Sequence, residues 1–184
     1  MASRADRSLR ARRQSGFTLA EALVVVAVAG LAMSMGLAGL DQALPSWRID
    51  SASRDIAISL RAARAMATLE SDNVLMPFDT TRGLYALVTE TTPGITIEES
   101  GIRYAELPPG VTFSRPDTGD AITFAPPAAP SEKTAVFDPS GLLLSNVRPA
   151  DVFVGNPDEG LYRRIRVNLV GMVNISSWNG SSWE

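Results

Sequence analysis

The chain has no cysteine and no histidine, and only 20% of its residues are charged. Without cysteine there is no disulfide framework, no thiolate chemistry and no Cys-ligated metal. Without histidine a Ser-His-Asp triad or a His-based zinc site is excluded, which leaves only carboxylate or Lys chemistry. A formal net charge of -3 argues against general affinity for nucleic acid. With 45% hydrophobic residues the chain is nonetheless too apolar for disorder, and its 184 residues suit one domain plus an appendage.

What is present is concentrated at the N-terminus. Arg4, Arg7, Arg10, Arg12 and Arg13 stand against a single acid, Asp6, and from Phe17 the sequence turns apolar. No charge occurs from Ala22 to Leu40. At about 1.5 Å per helical residue that run spans about 28 Å, close to the ~30 Å hydrocarbon core of a bilayer. A basic flank stays cytoplasmic, which sends residues after Asp41 to the far side. The run is too long for a cleaved signal peptide and has an acid, Glu21, near its start. A lone carboxylate in lipid costs roughly 2.5–3.5 kcal/mol at the membrane centre and calls for a partner.

Gly16-Phe17-Thr18-Leu19-Ala20-Glu21, followed by Ala-Leu-Val-Val-Val-Ala-Val-Ala-Gly, resembles the N-terminus of type IV pilins and pseudopilins. The resemblance implies cleavage after Gly16 by a prepilin peptidase and N-methylation of the new terminus, Phe17. It also implies that Glu21 pairs with the α-amino group of a neighbouring subunit's first residue, which rewards correct axial register.

After Leu40 the pattern becomes amphipathic. Ile49, Ala52, Ile56, Leu60, Ala63 and Ala67 recur at spacings of three and four, interleaved with Arg48, Arg54, Asp55, Arg61 and Arg64. Pro45 and the glycines 30, 36 and 39 predict a kink or local melting. From Asn73 onward come short β-prone runs, among them Val74–Met76, Leu84–Val88, Ile95–Ile97, Val111–Phe113, Ile122–Phe124, Ala135–Phe137, Leu142–Leu144, Asp151–Val154 and Tyr162–Val170. Pro and Gly turns separate them, and 125–133 reads as an exposed loop.

The fold class expected is α+β: a long N-terminal helix packed on an antiparallel sheet or sandwich head. Four segments are expected: a basic leader, 1–16; a transmembrane and filament-core helix, 17–44; an amphipathic helix, 45–70; and a periplasmic β-rich head, 71–184. The layout resembles the GspH/FimT group of minor pseudopilins. Leu60-Arg61-Ala62-Ala63-Arg64-Ala65-Met66-Ala67, Val136-Phe137-Asp138-Pro139-Ser140-Gly141 and a closing hairpin from Arg164 to Val173 carry that likeness.

The remaining candidates are weaker. Arg164, Arg166 and Asn168 share one strand face, with Ile165, Val167 and Leu169 on the other. Some FimT-like proteins bind DNA through arginines after the last hairpin's Gly. Met172 and Asn174 follow Gly171 here, so DNA contact through Arg163, Arg164 and Arg166 is the disfavoured reading and a solvated face or subunit contact is preferred. Asp117 and Asp120 offer too few oxygens for calcium, and a plain turn is expected. Trp178 and Trp183 lie in a Ser/Asn/Gly-rich tail, which either docks on a partner or frays.

No catalytic residue, metal or cofactor is implied. The resemblance implies a minor pseudopilin of a type II secretion system, in the inner membrane with a periplasmic head and then at or near the pseudopilus tip. Its implied partners are other pseudopilins or pilins through their N-terminal helices, prepilin peptidase, and exported proteins. The alternatives are a FimT-like minor pilin serving pilus assembly or DNA uptake, and a single-pass periplasmic receptor or enzyme.

Overall fold

Thr18 opens the first helix. Its hydroxyl accepts the Glu21 backbone N–H at 3.2 Å, and its carbonyl accepts that of Ala22 at 3.1 Å. Such a cap satisfies a donor that the first turn leaves orphaned, which is worth about 1 kcal/mol. Helix α1 then runs Leu19–Glu70. The computed structural model describes residues 17–89, 104–126, 133–147 and 149–184, with the side chains of 34–42 not among them. The leader, 1–16, and the expected strand Ile95–Ile97 therefore lie outside the described residues.

The backbone is helical throughout α1, so the local melting expected near Pro45 does not occur. The helix ends where Ser71 takes a left-handed conformation, φ 56°, and the Asp72 carboxylate accepts the Asn73 N–H. The chain divides into two units, Met1–Asp41 and Gln42–Glu184. In the first, Phe17, Leu19, Leu23, Val24, Val25, Val26, Val28, Leu31 and Met33 are all exposed. Among the described residues no helix is long and apolar enough to cross a membrane. The span expected over 17–44 includes 34–42, whose side chains are not described.

In the second unit the amphipathic stripe lies in the core. Ile49, Ala52, Ile56, Leu60, Ala63 and Ala67 are buried against residues of both sheets. The strands are β1 (Val74–Asp79), β2 (Leu84–Ala86), β3 (Val88–Thr89), β4 (Tyr104–Glu106), β5 (Thr134–Phe137), β6 (Ala150–Asn156), β7 (Leu161–Val167) and β8 (Val173–Ser177). One sheet has the order β3-β1-β2-β4 with β5 also on β1, the other β6-β7-β8, and every strand pairing is antiparallel. The architecture is α+β, a helix packed on antiparallel sheets.

Three expected strands are reduced to single bridges: Thr112 with Gly155, Ile122 with Val152, and Leu143 with Phe137. Their apolar residues are buried nonetheless, including Val111, Phe113, Ile122, Phe124 and Leu143. Burial alone accounts for their composition, because a β-prone run needs a non-local ladder before it becomes a strand. The first two also occupy the outer edge of β6, leaving it no long open template.

Candidate assembly segment and the arginine strand

Phe17 and Glu21 lie at the start of α1, and Gly16 lies just outside the described residues. Thr18 and Glu21 stand at the Thr-x-x-Glu spacing of a capping box, a signal that apolar patterning did not reveal. Glu21 is in the first turn, where the aligned peptide dipoles favour negative charge. It is exposed, and among the described residues no ion pair within the chain engages it. The segment thus presents a free carboxylate beside a row of exposed apolar side chains.

Strand β7 distributes its arginines differently from a solvated face. Ile165 and Val167 point into the core. Arg163 shares their side and its Nε meets the Asp50 carboxylate of α1 at 2.8 Å. On the opposite face Arg166 makes two parallel bonds to Asp151, 2.8 and 2.9 Å. Those hydrogen bonds hold the Arg166 guanidinium above its ordinary pKa. Arg164 lies over the Trp183 ring, 4.9 Å from its centroid, and donates to Ser176 Oγ at 3.4 Å. Lost hydration, then the like charge of Arg166, push its pKa down. All three arginines are committed within the chain, and a polyanion would have to displace those contacts.

The Trp-containing tail neither frays nor stands free. Ser177 and Glu184 exchange backbone bonds at 2.7 and 2.9 Å, and Trp178 bridges to Trp183. The two indoles pack at 5.2 Å, and Trp183 covers Phe153 at 5.3 Å. Arg115 also lies over the Phe153 ring, 4.6 Å from its centroid. Arg115 is also paired with Asp117. Asp117 therefore serves a turn, with its second oxygen accepting the Gly119 N–H, while Arg115 reaches toward the Asp120 carbonyl.

Residues 11–37 match the family described as the prokaryotic N-terminal methylation motif. The N-terminal segment thus carries the N-methylation motif of prepilin-type proteins. No curated protein matches the sequence. Among solved structures, the chain is similar to the minor pseudopilin EpsH from the Type 2 Secretion System of Vibrio cholerae. The identity is 12% and the TM-score 0.49, covering 73% of this chain and 99% of that one. It is also similar to the type IV minor pilin FimU of Pseudomonas aeruginosa, at 12% identity and a TM-score of 0.46, covering 74% and 97%.

Proposed function

We propose that this pilin-like chain is a minor pseudopilin of a type II secretion system, held in the inner membrane and then assembled at or near the tip of a periplasmic pseudopilus. The observation that carries the proposal is the match to the methylation motif over residues 11–37, a stretch that contains Gly16, Phe17 and Glu21. Prepilin peptidase cuts between Gly16 and Phe17. The freed amine is methylated, and residues 17–44 span the membrane until assembly. The Glu21 carboxylate then meets the amine of a neighbouring subunit. In a water-poor filament core that attraction outweighs its aqueous value several-fold, so an axial slip is penalised. The head's resemblance to the GspH/FimT group supports a minor subunit of either a secretion system or a pilus, and the following variants separate the two.

Chromosomal Gly16→Ala and Glu21→Gln variants test the proposal. The first is expected to keep its leader and the second to be processed yet absent from the sheared filament fraction, with secretion of exported hydrolases lost in both. Unchanged incorporation of Glu21→Gln would refute the assembly role. Intact secretion alongside lost DNA uptake or lost pili would assign the chain to a pilus instead.

A further inference from the structure

The segment after β8 folds back on itself. Ser177 and Glu184 exchange backbone bonds, Trp178 bridges to Trp183, and the Asn179 N–H donates to the Ser182 carbonyl at 3.1 Å. The Asn179 carboxamide ties this loop together from within. Its oxygen accepts the Ser181 N–H at 3.0 Å, the Ser181 hydroxyl at 3.0 Å and the Ser182 N–H at 2.8 Å. Its nitrogen donates to Ser182 Oγ at 3.1 Å and to the Glu184 carboxylate. A lone short hairpin is marginal in water, so the loop depends on these side-chain bonds and on Trp183 packing over Phe153.

The next residue is Gly180, at φ +96° with nothing within 4 Å of the position a Cβ would take. Its backbone N–H donates to no group among the described residues. A free peptide nitrogen without a shielding side chain thus follows an asparagine directly. Attack of that nitrogen on Asn179 Cγ closes a succinimide ring through Cβ, Cα and C of the same residue. The Cγ–Nδ2 bond breaks, and ammonia leaves with the proton given up by Gly180. Water then opens the ring at either carbonyl to aspartate or isoaspartate. Water enters and ammonia departs, with no oxidant or reductant. During the attack negative charge develops on Asn179 Oδ1, where three donors already converge. The Glu184 carboxylate lies against the nitrogen that must leave, the place for a group that hands on its proton.

We propose that Asn179 is a self-modifying site: it converts to aspartate or isoaspartate with loss of ammonia, Glu184 relaying the proton, and the conversion unlatches residues 178–184 from the second sheet. Either product replaces the amide donor with a carboxylate facing Glu184, so a hydrogen bond becomes a like-charge contact. Isoaspartate also inserts a methylene into the main chain between Trp178 and Trp183, which misaligns their bridge. Trp183 then leaves Phe153 and the Arg164 guanidinium. Phe153, only 3% exposed in the closed form, is uncovered on that side. An old molecule therefore presents a different surface from a new one, with an added negative charge and a newly open aromatic-arginine face.

The test uses the full chain in detergent, held at neutral pH and digested at intervals for mass spectrometry. The peptide carrying Asn179 is expected to gain about one dalton, and Glu184→Gln is expected to slow that gain about tenfold or more. Asn179→Asp supplies the aspartate product directly. It is expected to abolish the exciton circular dichroism of the Trp178–Trp183 pair and to speed amide exchange at Ser177 and Glu184 about tenfold, with the helix signal unchanged. Adding Glu184→Gln to Asn179→Asp sets an amide donor opposite the new carboxylate and is expected to restore both signals. If Asn179→Asp fails to fold, the same two signals are followed in the parent chain as it converts. Absence of the mass gain in the folded chain, an undiminished rate in Glu184→Gln, or an intact tryptophan pair after conversion would each overturn the proposal. None of these readouts involves Gly16 or Glu21, so the result stands apart from the filament assignment.

Discussion

At the scale of single residues, two positions give sharp expectations. Gly171 has φ +73°, and a Cβ there would lie 2.7 Å from the Gly141 carbonyl and 2.7 Å from Arg64 Cδ. Gly171→Ala therefore combines a left-handed alanine with a backbone clash, and urea unfolding is expected to show a loss of about 1–3 kcal/mol. Gly160 has a similar φ, +65°, but open space around it, so Gly160→Ala is expected to lose less. Tyr85 supplies the pH dependence. Burial, reinforced by the Asp55 charge, raises its pKa above the ordinary 10.0. The unfolded chain then ionises first as pH rises, so the native state binds more protons and stability falls with pH. Stability is expected to be unaffected by this group below about pH 10 and to decline above it. Tyr85→Phe should flatten that alkaline limb, and an unchanged limb would show that another group causes it.

At the scale of elements, α1 shows two faces with different duties. Ile56 is fully buried, so Ile56→Ala is expected to cost about 2–5 kcal/mol by thermal or denaturant unfolding. Ile58, two residues on, faces outward, and Ile58→Ala is expected to stay within about 0.5 kcal/mol of the parent. Equal losses would contradict the assignment of faces. This division was legible in the sequence, because a 3.6-residue period is a local property and all six stripe residues lie in the core. The β-layer was less legible. Val111–Phe113, Ile122–Phe124 and Leu142–Leu144 have strand composition yet only single bridges, since ladder formation depends on partners far along the chain. The same limit hid the arginine contacts: Asp50 and Arg163 are neighbours only once α1 lies on β7. Alternation correctly separated Arg164 and Arg166 from Ile165 and Val167, but it had no means of placing Trp183 against Arg164.

At the scale of the whole molecule, one segment is organised to fold and another to associate. From Gln42 onward the apolar stripe of α1 finds its partners within the chain. From Phe17 to Met33 the apolar side chains stay exposed, and Glu21 has no ion pair within the chain among the described residues. Exposed apolar surface on that scale is stable only when lipid or other subunits cover it. The spacing of Gly16, Phe17 and Glu21 made this segment legible in the sequence. The account depends most on the leader being removed. Intact mass and N-terminal fragment spectra of the chain purified from its native host measure this directly. The account predicts a mature chain beginning at Phe17 with a single methyl group on its amine, and a chain retaining residues 1–16 in the assembled form would contradict it.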